Sequence, residues 1–129
     1  MAWFTASIVV AIKLKENAQE KYPVFEDFYL IEGDSPNQAY EKAVSIGREL
    51  EALEDNLTLR GQAARRLFVG IRKLRSIFNP APYEKDTDSP VHGTELSHSY
   101  MIVNSEEDLN KLGRGEAVEV LYVDDATDV

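Results

Sequence analysis

A chain of 129 residues with 23 acidic and 14 basic side chains has room for one domain and little more, and its net charge of −9 sets up a field that repels phosphates. Hydrophobic residues make up 43%, enough apolar surface to offset chain entropy, so wholesale disorder is excluded. The absence of cysteine rules out a disulfide framework, a thiolate zinc site and a cysteine nucleophile, and it fits a reducing compartment.

The chain opens on a clear alternation. Phe4, Ala6, Ile8, Val10, Ile12 and Leu14 fall on one side, and Trp3, Thr5, Ser7, Val9, Ala11, Lys13 and Lys15 on the other. Period two over this length predicts a strand with the even-numbered face in the core. Trp3 and Val9 suggest that the odd face is covered as well. The stretch Met1–Lys13 is apolar, but it lacks the basic region of a signal peptide and is too short to span a bilayer. A cytoplasmic protein with no membrane contact is therefore expected.

A polar loop, 15–21, leads to a second strand over about Tyr22–Glu32, rich in aromatic and branched residues. The short connection predicts an antiparallel pair. A helix start follows Gly33-Asp34: Ser35 can cap, Pro36 suits the first turn, and Gln38 completes a Ser-x-x-Gln box. Ala39, Ala43, Ile46, Leu50 and Leu53 then mark one helical face. About twenty helical residues would run roughly 30 Å, enough to cover one face of a small sheet.

Residues 55–64 read as a connector. A third strand is expected over Arg65–Ile77, with Gly70 marking a bulge or a close backbone approach. Residues 78–91, with three prolines and four charges, read as a long loop. A fourth strand is expected over about Gly93–Val103, then a short helix capped by Ser105 with an acidic first turn, then a fifth strand over Glu116–Val123. Residues 124–129 form an acidic tail. The expectation is a single α+β domain over residues 1–123: a mostly antiparallel sheet of four to five strands, one long helix on one face, in the order β-β-α-β-β-(short α)-β.

This order of signals resembles the small bacterial family known as domain of unknown function 4288. The resemblance rests on Trp3-Phe4-Thr5-Ala6, Phe28-Tyr29-Leu30-Ile31-Glu32, Ala39-Tyr40-Glu41-Lys42-Ala43 with Ile46-Gly47, Leu67-Phe68-Val69-Gly70-Ile71 and Gly93-Thr94-Glu95-Leu96. It covers roughly residues 3–103. It implies a compact α+β fold and brings no activity or catalytic residue with it.

Three sets of residues invite a chemical reading. His92-x-x-Glu95-x-x-His98 has the residue types of a zinc or iron site, but on a strand Glu95 points away from both histidines, so no metal is expected. Glu95 with Glu26 or Asp27 would form a carboxylate pair only if the fold brought them together. Arg60, Arg65, Arg66, Arg72, Lys73 and Arg75 lie in a stretch, 56–83, with no acid, leaving the rest of the chain at −15. Arg65, Arg66, Arg72, Lys73 and Arg75 can bind an anion, pair with acidic residues of the chain, or protect a strand from edge-to-edge association. Arg66, Arg72, Glu95 and His98 are thus the candidate ligand-binding residues. Phosphate-loop, dinucleotide-binding, nucleophile-elbow and zinc-protease motifs are absent.

With one helix for two sheet faces, the expected function is a non-enzymatic binding or interaction module. It is expected to self-associate, with a dimer favoured, through the second face or a strand edge, and to meet an unidentified protein partner. No cofactor is expected, and the net charge argues against nucleic acid as a partner. The competing reading is a small-ligand-binding domain or an enzyme of unrecognised type built on Glu95, His98 and the basic residues near Arg72.

Overall fold

A computed structural model describes residues 2–78 and 89–123. Most of the 78–91 loop and the whole acidic tail read from the sequence lie outside the described residues. The chain divides into two compact units, one reaching to Leu96 and one beginning at Ser97.

The first unit is an antiparallel sheet carrying a helix. Strand β1 (Ala2–Leu14) pairs with β2 (Val24–Gly33) on one side and with β4 (Gln62–Ser76) on the other. A two-residue strand, β3 (Thr58–Leu59), pairs with the start of β4, so the sheet order is β2-β1-β4-β3. The even-numbered residues Phe4, Ala6, Ile8, Val10 and Ile12 of β1 are all buried, as expected, and Thr5, Ser7 and Ala11 on the odd face are buried too.

Helix α1 (Pro36–Glu51) starts where the capping residues placed it. Ser35 Oγ accepts the Gln38 N–H at 3.1 Å, and Gln38 Oε1 reaches back to the Asp34 N–H at 2.6 Å. The helix is 16 residues long, shorter than the expected run, and Leu53 lies beyond its end and is exposed. Residues 55 and 56, Asp and Asn, favour turns over helix, and the chain must reverse there to enter β3.

The buried line of α1 is Ala39, Ala43 and Gly47, all small, which lets the helix axis sit close to the sheet. Ala39 and Ala43 meet Phe4, Ala6, Ile8, Val10, Ile31 and Leu74 in one core, flanked by Tyr29, Ile46, Leu50, Phe68 and Ile71. Each large aliphatic or aromatic side chain there contributes about 1.5–3 kcal/mol through burial.

Two register shifts break the β1–β4 ladder, between Ser7 and Ile8 and between Val9 and Val10. They leave Arg72 and Val69 as the extra residues of β4, and Gly70 stands beside the second, where the sequence marked a bulge. At the first, Ser7 Oγ accepts the Lys73 N–H at 3.0 Å. The connector read from the sequence holds a hairpin: Arg60 and Gly61, at φ of 53° and 78°, form the two-residue link between β3 and β4. Positive φ at both positions matches the twist of the flanking strands.

The second unit contains β5 (Met101–Ile102), α2 (Glu106–Gly113) and β6 (Leu121–Tyr122). Ser105 Oγ accepts the Asp108 N–H at 3.1 Å, and the acidic first turn complements the helix dipole. The expected strands over 93–103 and 116–123 are reduced to β5 and β6, which pair with each other in a separate two-stranded sheet. Gly93, at φ 90°, sits in a turn closed by the Thr94 N–H donating to Val91 O. The polar run Ser97-His98-Ser99 has no alternating apolar face to hold a strand on a core. Among the described residues, no helix is long and apolar enough to cross a membrane.

Candidate functional site

The structure disperses the charged residues singled out by sequence. Arg66 stands opposite Ile12, on the helix-bearing face, and its Nη1 pairs with Asp55 at 2.8 Å. Arg72 leaves the opposite face at the first bulge and pairs with Glu26 at 3.2 Å. The two arginines line different concavities. Arg66 shares one of about 450 Å³ with Lys15, Leu53 and Asp55; Arg72 shares one of about 250 Å³ with Pro36, Tyr40 and Leu74. Glu95 is exposed and belongs to the first unit, while His98 is exposed and belongs to the second. His92 is exposed in the Val91–Thr94 turn. Among the described residues, no three His, Asp or Glu side chains are grouped so as to hold a metal ion.

The far face of the sheet, away from α1, is not uniformly open. Along β1 and β4 its centre is buried: Ser7 is 1% exposed and Arg75 5%, and Thr5 and Lys73 are buried beside them. Lys73 and Arg75 both have partners in the chain. The apolar exposure gathers instead on β2, where Val24, Phe28 and Leu30 are each more than half exposed on the far face, as is Phe25 on the helix side.

Backbone geometry shows what this strand presents sideways. The Ile12 N–H donates to Pro23 O at 2.9 Å, and these residues stand directly opposite in the β1–β2 register. Pro23 therefore turns its carbonyl inward. Because the ladder alternates, Phe25, Asp27, Tyr29 and Ile31 also point their backbone groups at β1. Val24, Glu26, Phe28, Leu30 and Glu32 then point their N–H and C=O groups outward. Lys42 Nζ donates to Glu32 O at 2.6 Å, as an outward carbonyl allows. Among the described residues β2 has a neighbouring strand on one side only.

The two flanks of the sheet differ in kind. β4 extends well past its short pairing with β3, and it carries two bulges together with Arg65, Arg66, Arg72, Lys73 and Arg75. Bulges and cations are the devices that blunt an edge. The ten residues of β2 contain no proline, no lysine or arginine, and no register shift. The sequence contained half of this signal, an aromatic run without a basic residue, but nothing in it said that the run would lie at an edge.

A family model described as Domain of unknown function (DUF4288) matches residues 3–96. No curated protein and no solved structure matches the chain. The matched span ends where the first compact unit ends, so the family corresponds to the sheet-and-helix unit, and the residues from Ser97 onward lie outside it. The chain belongs to the DUF4288 family.

Proposed function

We propose that this chain is a non-enzymatic interaction module that works by self-association, as a dimer in the first instance. One observation carries the reading: a ten-residue edge strand without a bulge, proline or basic residue of its own, with Val24, Phe25, Phe28 and Leu30 exposed along it, on a sheet whose other flank is bulged and basic. An open edge of this kind offers backbone hydrogen bonds and side-chain contacts together, the basis of strand-addition recognition. Light scattering across micromolar concentrations tests the reading. A concentration-dependent rise toward twice the 14.5 kDa chain mass is expected, and a strict monomer overturns self-association.

The alternative, a ligand site using Arg66, Arg72, Glu95 and His98, has less behind it. Arg66 and Arg72 leave opposite faces of β4, and each is already bound to a carboxylate.

A further inference from the structure

We infer that the partner at this edge is a second copy of β2, paired antiparallel about a two-fold axis at Phe28, so that one sheet runs through both protomers. This rests on the interaction-module reading above and specifies its contact.

The symmetry limits the choices. A two-fold axis perpendicular to the sheet keeps each side chain on its own face, so one residue of β2 must stand opposite its own copy. Centring on Glu26 or Asp27 sets a carboxylate against its twin, and centring on Tyr29 sets Glu26 against Glu32. Like charges directly opposite are destabilising. Centring on Leu30 avoids this but leaves Val24, Phe25 and Glu26 without partners. Centring on Phe28 uses the whole strand, and no acid meets an acid. Phe28 faces Phe28, Glu26 faces Leu30, Asp27 faces Tyr29, Phe25 faces Ile31, and Val24 faces Glu32.

The outward backbone groups fit this register. Phe28 turns its N–H and C=O to the edge, so the central pair exchanges two hydrogen bonds, and the Glu26–Leu30 pairs do the same on either side. Two acids are brought against apolar residues, Glu26 against Leu30 and Glu32 against Val24, and Glu26 is already neutralised by Arg72. The Phe28 rings come together on the far face, where an aromatic cross-strand pair is favourable. The arrangement also closes on itself. Among the described residues of this sheet, it consumes the β2 edge of both copies and leaves β3 and the bulged, basic flank of β4 outside. Head-to-tail pairing of β2 with β4 would answer the acids with cations, but it would lose its hydrogen-bond register at each bulge and could grow without limit.

The chain has no cysteine, so single-cysteine variants give a clean test. Opposed residues of a hydrogen-bonded pair lie about 5.5 Å apart at Cα, within the reach of a disulfide. The variants are Phe28→Cys, Leu30→Cys and Glu26→Cys, oxidised with glutathione disulfide and run on non-reducing gels, with circular dichroism under reducing conditions confirming the fold. Phe28→Cys should pass mainly to a covalent dimer. Leu30→Cys alone should stay monomeric, and a mixture of Leu30→Cys with Glu26→Cys should cross-link. Preferential cross-linking of Leu30→Cys alone overturns the register. If the native chain is a dimer by light scattering and Phe28→Cys does not cross-link, the β2 contact is wrong while self-association stands. A native monomer overturns both, and open-ended growth of the native chain overturns the two-fold arrangement.

Discussion

Arg72 Nη1 lies 3.2 Å from Glu26 Oε2, and the pair spans β1 from one flanking strand to the other. The bulge between Ser7 and Ile8 makes this reach available, because it turns Arg72 onto the far face where Glu26 already stands. Both side chains remain about one-quarter exposed, 25% and 26%, so water and salt screen the interaction. Glu26→Gln should therefore cost at most about 1 kcal/mol of stability, and less at high salt. Urea denaturation at two ionic strengths checks this. A loss of several kcal/mol would show that the pair has a larger structural role than its exposure allows.

Gly47 of α1 packs directly against the Phe68 ring of β4. A Cβ on residue 47 would fall within 3 Å of three atoms of the Phe68 ring, and Arg48 lies over the same ring, 5.9 Å from its centre. Alanine is favoured over glycine inside a helix by about 1 kcal/mol, but forcing a methyl into a filled space costs about 1–3 kcal/mol. Gly47→Ala should thus lower the melting temperature in the native background and raise it when Phe68 is replaced by alanine. A stabilising effect in both backgrounds would refute the contact.

Ser7 is a polar residue at a core position because the ladder needs it there. Its hydroxyl accepts the Lys73 N–H at the bulge, and the side chain is almost fully buried. Ser7→Ala removes that acceptor from a buried donor, which costs about 1–3 kcal/mol. Thermal denaturation measures the loss, and in the variant hydrogen exchange at the Lys73 amide should speed up relative to the Arg75 amide, which also points at β1. Unchanged stability would mean that the amide is served otherwise.

Much of the sheet-and-helix unit was legible in the chain, for identifiable reasons. Phe4 to Leu14 carry an apolar residue at every even position, and Ser35, Pro36 and Gln38 mark a helix start by side-chain chemistry confined to four positions. Such local signals survive folding. The β3–β4 hairpin was missed because Arg60-Gly61 is a weaker turn pair than Asn-Gly, and Thr58–Leu59 is too short to show a period. The strand expected over 93–103 shrank to two residues because its polar stretch had no ladder partner long enough to hold it. Positions in space were not legible at all. That Arg66 and Arg72 leave opposite faces follows from bulges set by β1–β4 pairing, and that Phe28 and Leu30 lie at an edge follows from strand order.

Phe28→Lys should separate association from folding. The position is 56% exposed, so the monomer's stability should move by no more than about 0.5 kcal/mol. Across the two-fold axis, however, it sets two cations face to face and installs the residue that protects natural edges. Sedimentation should show the dissociation constant rising at least about tenfold, a change of 1.4 kcal/mol. Conversely, each native protomer carries −9, so added salt should strengthen the native dimer by screening that repulsion. An unaltered dissociation constant for the lysine variant would place the contact elsewhere.

Amide hydrogen exchange along β2 of the unmodified chain, at dilute and at concentrated protein, is the most direct test. The inward amides of Phe25, Asp27, Tyr29 and Ile31 should be protected at both concentrations, and those of Glu26, Phe28 and Leu30 only at the higher one. Outward amides that exchange at the same rate throughout, while light scattering shows the dimer, would contradict pairing of this edge.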